Sequence, residues 1–293
     1  MLKQVAWLLG SGLFCVSTAS ATILPPNDLH LEDNVLAANM TEKEFNDIIT
    51  KAEAIYGPII SEAHGGQLRM NRLWSNSTVN ASASQSFGSW TVNMYGGLAR
   101  RPEVTPDGFA LVVCHEIGHH LAGYPFSSSW ASNEGQSDYF ATLSCARELW
   151  RDEIDINAGF RGTVDALPKA LCDAVWEDTF DQDLCYRSMM GGKSLADLLS
   201  ALRDQTVDFE TPDANVVGRT NNAHPAGQCR LDTYMAGALC AAEWDINVIP
   251  GKELGRGRNS AAAEENAANV SCTRLLDETQ TGVRPLCWFK SLL

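Results

Sequence analysis

The sequence of 293 residues predicts an α+β fold that is mostly helical, with a small sheet or hairpin ahead of its central helix. Residues 72–100 are rich in Ser, Thr, Asn and Val, and they predict strands at about 72–84 and 88–96. Helical periodicity dominates the chain on both sides of that stretch. Apolar residues make up 45% of the chain and charged residues 20%, which are the proportions of a globular protein with a buried core.

The predicted helices follow in order along the chain. Thr41 and Glu44 form a capping box ahead of apolar residues at helical spacing, and this first helix is predicted to end at Gly57-Pro58. A second helix begins at Pro106-Asp107 and ends near Gly123. Further helical patterns cover residues 134–151, 163–179, 194–204 and 225–244.

Residues 1–21 have the layout of a secretory signal peptide. Lys3 precedes an apolar run from Val5 to Val16, and the small residues Ala19-Ser20-Ala21 predict cleavage after Ala21. The apolar run of about 12 residues is too short to cross a bilayer, which takes about 20. We therefore expect an exported protein, periplasmic or extracellular, with no stable membrane span after the signal is removed.

The charge balance argues against one class of partner. Lys and Arg total 22 against 36 for Asp and Glu, a formal net charge of −14. A nucleic-acid-binding protein needs a basic surface to neutralise phosphates, so no nucleic-acid partner is expected.

After the signal, we predict one compact domain over residues 22–245. A Gly-rich connector and a C-terminal segment held by a disulfide are predicted over residues 246–293.

The cysteines predict disulfides. Removal of the signal takes Cys15 away and leaves eight of the nine cysteines, and an even number in an exported chain favours paired over free thiols. Cys172–Cys185 is the best local pair. A Cys229–Cys240 bond is excluded if residues 225–244 form a helix, because the two would lie about 16 Å apart, beyond disulfide reach.

The most specific motif is His115-Glu116-Ile117-Gly118-His119, an H-E-x-x-H sequence. On a helix, residues four apart project from one face, so His115 and His119 can bind one Zn²⁺ with Glu116 beside them as the candidate base. His120 lies about 100° away on the same helix. A surface or second-face role is therefore expected for His120 rather than metal binding.

A catalytic zinc site needs a third protein ligand. The metzincin pattern requires Gly at position 122 and His at 125, but the chain has Ala122 and Pro125. Glu134 and Asp138 are four residues apart on the next predicted helix, so both face the same way. We favour Glu134 as the ligand, with Asp138 accepting the outer N–H of a ligand histidine. The alternative makes Asp138 the ligand.

These motifs resemble a known family. H-E-x-x-H followed by Asn133-Glu134-x-x-Ser137-Asp138 resembles the active site of gluzincin metalloproteases. Ala223-His224-Pro225 with Arg230 is similar to the HP…R element of the M48-like peptidases within that group. The short gap between the two motifs is more similar to the ImmA/IrrE-type peptidases, so the subfamily stays open. The resemblance covers residues 72–145 and 220–240.

The resemblance implies a zincin-like fold and a function. We expect an exported zinc-dependent endopeptidase that hydrolyses peptide or protein substrates through a metal-activated water, with Glu116 as general base. It also implies that His224 and Arg230 stabilise the oxyanion, and that strand 90–95 pairs with an extended substrate. The alternative is a zinc-containing binding or chaperone-like protein that retains the site without turnover.

Overall fold

The computed structural model describes residues 20–33, 39–272 and 281–293. Its fold is α+β, with a four-stranded mixed sheet and a larger number of helices. The strands are β1 (Ser20–Thr22), β2 (Gln67–Leu73), β3 (Ala81–Ser86) and β4 (Ser89–Tyr95). The helices are α1 (Glu42–Glu62), α2 (Gly96–Ala99), α3 (Pro106–Leu121), α4 (Glu134–Phe140), α5 (Ala146–Trp150), α6 (Ile154–Gly159), α7 (Ala166–Val175), α8 (Thr179–Ala201), α9 (Gly227–Ala238) and α10 (Ala261–Ala268).

The predicted signal peptide falls mostly outside the described residues. Residues 1–19 lie beyond them, and Ser20 and Ala21 belong to β1. Within the described ranges, no helix combines the length and apolar character needed to cross a membrane.

The sheet has the strand order β1-β3-β4-β2, with β2 and β4 parallel and the other pairs antiparallel. Phe87 and Gly88 connect β3 to β4 with φ angles of 48° and 79°, the left-handed conformation that a two-residue hairpin turn requires. The strand predicted at 72–84 is wrong as one element. The chain leaves the sheet after Leu73, and Asn76 accepts a hydrogen bond from the Thr78 N–H in a turn before β3 begins.

Helix α1 begins at the predicted capping box, in which Thr41 and Glu44 satisfy each other's backbone N–H groups. Its predicted end at Gly57-Pro58 is wrong, because the helix continues through Pro58 to Glu62. Buried residues lie on both sides of the proline, including Tyr56 and Ile60. Their packing outweighs the roughly 3 kcal/mol that a proline inside a helix costs.

Helix α3 runs through the centre of the molecule. Thr105 caps it by accepting a hydrogen bond from the Gly108 N–H, and Pro106 takes the first turn, where no N–H is needed. Every residue from Gly108 to Leu121 is buried, because α1, α4, α8 and the sheet all pack against this helix. The predicted helix therefore exists, and both of its faces are core.

The second half of the chain is helical, with different boundaries from those predicted. The predicted helix over 134–151 is one helical run from Glu134 to Trp150, in which a π-helical turn at Ala141–Cys145 separates α4 from α5. The helix predicted at 194–204 is part of the longer α8, and α9 ends well before residue 244. Gly191 and Gly192 suggest a break, yet they lie inside α8 where a Cβ would approach Leu111 and Tyr234. Close helix packing explains both glycines.

Four disulfides form among the described residues: Cys114–Cys145, Cys172–Cys185, Cys229–Cys287 and Cys240–Cys272. The predicted Cys172–Cys185 bond is confirmed. Cys229 and Cys240 bond to other partners, although Cys240 lies just beyond α9, which ends at Ala238. Cys114–Cys145 joins α3 to the helical run that starts with α4. Cys229–Cys287 bonds the C-terminal part of the chain to α9, and Cys240–Cys272 bonds it to the residue that follows the C-cap of α9.

The close packing of Gly237 allows a prediction of how a substitution there changes the free energy of unfolding. A Cβ on Gly237 in α9 would lie 2.2 Å from Thr142 Oγ1 and 2.4 Å from the backbone oxygen of Tyr139. Gly237→Ala is expected to lower the free energy of unfolding by about 1–3 kcal/mol, as overpacking does. Gly57→Ala in α1 is the matched control, since nothing lies within 4 Å of its Cβ position. It is expected to stabilise the protein by up to about 1 kcal/mol. Urea unfolding measures both, and a Gly237→Ala protein as stable as the parent contradicts the prediction.

Candidate metal centre

Helix α3 presents His115 and His119 from one face, and both side chains are fully buried. His115 Nδ1 lies 2.8 Å from Asp138 Oδ1, and His119 Nδ1 lies 2.9 Å from the backbone oxygen of Ser132. Each ring therefore donates from Nδ1, which leaves the Nε2 lone pair free. Neither Nε2 atom has a hydrogen-bond partner among the described residues.

Glu134 brings a carboxylate to the two free nitrogens. The Asn133 side chain caps α4 by accepting a hydrogen bond from the Gln136 N–H, which places Glu134 in the first turn. Its Oε2 lies 3.3 Å from His115 Nε2, and its Oε1 lies 3.7 Å from His119 Nε2. One ligand atom from each of these three residues falls within 4.8 Å of the others, so the cluster can hold a metal ion.

The chemistry of the donors fits a metal. Two imidazole nitrogens and a carboxylate oxygen, buried and without other partners, would otherwise leave unsatisfied polar atoms in the core. Asp213, Cys229 and Cys287 also lie close together, but these two cysteines form a disulfide and carry no thiolate. Of the two clusters, only the one on α3 and α4 offers three free ligands.

Asp138 occupies a different position from Glu134, although both project from α4. It lies behind His115 and accepts hydrogen bonds from His115, Arg230 and Tyr234. Burial disfavours its charged form, but the Arg230 guanidinium outweighs burial and lowers the pKa of Asp138 to about 2. The carboxylate is therefore ionised at neutral pH and orients the His115 ring.

Arg230 comes from α9 and is fully buried. Its Nε and Nη2 atoms lie 2.6 and 2.5 Å from the two oxygens of Asp138, so most of the guanidinium is committed to that carboxylate. Its third nitrogen, Nη1, donates to the backbone oxygen of Ile23 at 2.6 Å. Arg230 therefore has two roles in the structure: it neutralises Asp138, and it donates one hydrogen bond to the backbone oxygen of Ile23.

Glu116 follows His115 on α3 and is also fully buried. Among the described residues, neither of its carboxylate oxygens has a hydrogen-bond partner. Burial raises the pKa of Glu116 to about 8.

His224 lies at the other side of the centre. Its Nε2 is 3.6 Å from Glu134 Oε2 and 2.7 Å from the backbone oxygen of Thr22. Burial lowers the pKa of His224, which keeps the ring neutral at pH 7. A neutral ring can donate one hydrogen bond from Nε2 to a carbonyl oxygen.

One expectation from the sequence is wrong, and one of the two roles expected for His120 is excluded. Strand 90–95 cannot pair with a substrate, because β4 lies between β3 and β2 and both its edges are already hydrogen-bonded. His120 is not a surface residue. It is buried between the rings of Trp90 and Trp130, with centroid distances of 5.3 and 5.1 Å, and its Nδ1 lies 3.0 Å from Gln85 Nε2. Both outcomes depend on packing between distant elements, which no local pattern records.

The structure also adds residues that sequence reasoning missed. Ser132 contributes only its backbone oxygen, for which the sequence carries no signal. Tyr234 donates to Asp138 at 2.6 Å, and its position four residues after Arg230 on α9 was the available signal for a shared face. The Ser137 hydroxyl lies 3.1 Å from His119 Nδ1.

The comparisons with known proteins add no relatives. No protein-family model matches the chain, and no curated protein or solved structure matches it either. The geometry of the centre and the motifs that build it are therefore the basis for a functional conclusion.

Proposed function

We propose that this protein is an exported zinc-dependent endopeptidase. The observation that carries the proposal is the convergence of His115 Nε2, His119 Nε2 and the Glu134 carboxylate, with the buried Glu116 carboxyl on the same helix. Two imidazoles and one carboxylate are a common ligand set of catalytic zinc sites, which keep a fourth position open. The resemblance of the motifs to gluzincins agrees with this ligand set.

The residues around the centre suit peptide hydrolysis. When bound, zinc acidifies water and polarises a carbonyl group. Glu116 accepts the proton of the attacking water and delivers it to the leaving amine. His224 Nε2 and Arg230 Nη1 both donate to backbone carbonyl oxygens in the structure, which is the interaction that a developing oxyanion needs. Asp138 holds the His115 ring in its orientation.

Several features support export. Eight cysteines form four disulfides, which persist in oxidising compartments, and no described helix is suited to crossing a membrane. The signal-like sequence of residues 1–21 agrees with this location.

Metal analysis combined with chelation tests the proposal. The purified chain is expected to contain about one zinc ion, to cleave members of a broad peptide library, and to lose that activity reversibly on chelation. His119→Ala is expected to lose the bound zinc because it removes a ligand. His30→Ala is the matched control, since His30 is exposed and hydrogen-bonds to Ser77, which is not a residue of the centre.

Two outcomes contradict the proposal in different ways. A correctly folded chain that binds no zinc excludes any zinc enzyme. A zinc-loaded chain that cleaves no peptide supports the alternative, a zinc-containing binding or chaperone-like protein.

A further inference from the structure

The N-terminal segment, defined as residues 20–24, lies across the candidate metal centre. Its first three residues form β1, which pairs antiparallel with the outer edge of β3 in the register Ser20 with Ser84, Ala21 with Ala83 and Thr22 with Ser82. Without β1, β3 would be an edge strand with free backbone groups. An extended peptide can bind at such an edge through backbone hydrogen bonds alone.

Beyond β1, the backbone of the segment contacts residues of the centre. The Thr22 oxygen lies 2.7 Å from His224 Nε2, and the Ile23 oxygen lies 2.6 Å from Arg230 Nη1. Two successive carbonyls are thus held by the two residues to which the motif resemblance assigns oxyanion contacts. Because the N-terminal segment contributes only backbone oxygens to these contacts, any extended peptide in the same place can make them.

The side chains of the segment are held as well. Ile23 is 1% exposed and Leu24 is fully buried, and both belong to the main hydrophobic core. The Asn80 side chain binds both backbone groups of Leu24, accepting from its N–H at 3.2 Å and donating to its oxygen at 3.3 Å. The positions of Ile23 and Leu24 are therefore enclosed, apolar and fixed in register relative to the centre.

We propose that the N-terminal segment occupies the site of an extended peptide substrate, and that this site selects aliphatic side chains at the positions of Ile23 and Leu24. The inference rests on the proposed peptidase function. It names the substrate class as peptides with two successive aliphatic residues, bound antiparallel to β3. It also follows that the segment must leave before such a peptide enters, because both need the same edge and the same carbonyl donors.

The inference applies to the chain before and after signal removal. Cleavage after Ala21, as predicted, takes away two of the three paired residues of β1 and leaves Thr22 to Leu24 with their contacts. A tethered segment competes with free peptide at a high effective concentration, so weakening it should open the site.

Peptide binding without turnover tests the inference. The full chain carrying Glu116→Gln and loaded with zinc is titrated with a fluorescently labelled peptide of sequence SATILPP, that of residues 20–26. Adding Ile23→Gly is expected to tighten peptide binding by about tenfold or more, because the tethered segment loses a buried aliphatic side chain. Pro26→Gly, at an exposed position of the same stretch, is the matched control and should leave the affinity unchanged.

A second peptide tests the side-chain preference. SATDDPP, with aspartates at the two aliphatic positions, is expected to bind the Ile23→Gly chain far more weakly than SATILPP, since the pockets are apolar. Equal affinity of the Ile23→Gly and Pro26→Gly chains for SATILPP overturns the proposed occupancy. Equal affinity for the two peptides overturns the aliphatic selection.

The readouts keep the two proposals apart. Failure of the peptidase function appears as missing zinc or missing cleavage in the parent chain. The fluorescence anisotropy of the labelled peptide, which measures its binding to the Glu116→Gln protein, requires no catalysis. If Ile23→Gly fails to fold, judged by loss of its circular dichroism signal and of cooperative urea unfolding, Ile23→Ala is the milder variant. It keeps part of the side chain, is expected to tighten peptide binding several-fold, and overturns the inference if the affinity equals that of Pro26→Gly.

Discussion

Glu116→Gln is expected to lower kcat/KM for peptide hydrolysis by about 10²–10⁴-fold while the protein still binds zinc. The glutamine is nearly isosteric and leaves His115, His119 and Glu134 in place, so the metal ligands are unchanged. It cannot accept the proton of the attacking water, and that step is the role we assign to Glu116. Steady-state kinetics with a cleaved peptide, together with zinc analysis of the same preparation, measures both effects.

Glu62→Gln is the matched control for this substitution, because Glu62 is exposed at the end of α1. It should leave both activity and zinc content unchanged. Undiminished hydrolysis by the Glu116→Gln protein would exclude Glu116 as the base and, with it, the mechanism proposed above. Loss of zinc together with activity would show that the substitution disturbs the ligands themselves.

Arg230→Gln is expected to lower the free energy of unfolding by about 3–5 kcal/mol, because it leaves Asp138 as a buried carboxylate without its cation. Both side chains are fully buried, and two of the arginine nitrogens lie within 2.6 Å of the Asp138 oxygens. Urea unfolding at pH 7 measures the loss. Arg72→Gln is the control, since the ion pair of Arg72 with Glu53 is partly exposed and contributes at most about 1 kcal/mol.

The same ion pair predicts a pH dependence. The pKa of Asp138 is lowered from 3.8 to about 2 in the folded chain, because the charge of Arg230 outweighs burial. A lowered pKa stabilises the fold above pH 4, and this contribution is lost as the pH falls from about 4 to 2. In the Arg230→Gln protein this acid-sensitive contribution should be smaller. Adding Asp138→Asn should recover part of the lost stability, because no unpaired charge remains; no recovery would contradict the assigned role of the pair.

Features that depend on neighbouring residues follow from the sequence alone. The four-residue spacing of His115 and His119 places both on one face of any helix, and the capping box of Thr41 and Glu44 begins its helix by local hydrogen bonds. The short Cys172–Cys185 bond belongs to the same class. In each case the residues that interact are close along the chain, so their pattern contains the information.

Packing between distant elements decided the boundaries that the sequence misplaced. Pro58 is a helix-breaking signal, but α1 continues because its apolar face is buried on both sides of it. Gly191 and Gly192 lie within α8, where α3 and α9 approach closely, although glycine is unfavourable inside a helix. Local propensity costs a few kcal/mol at most, and burial of a helix face exceeds that amount.

The amino-acid sequence by itself determined the α+β class, the H-E-x-x-H helix and the two candidate carboxylates on the next one. Only the tertiary structure decided that Glu134 faces the histidine nitrogens while Asp138 binds Arg230, a residue 92 positions away. The tertiary structure alone brought Ile23 into contact with Arg230, 207 residues further along the chain, and placed β4 between β3 and β2 in the sheet. The physical reason is that spacing along a helix sets only the direction of a side chain, whereas its partner depends on how distant parts of the chain bury their apolar surfaces together.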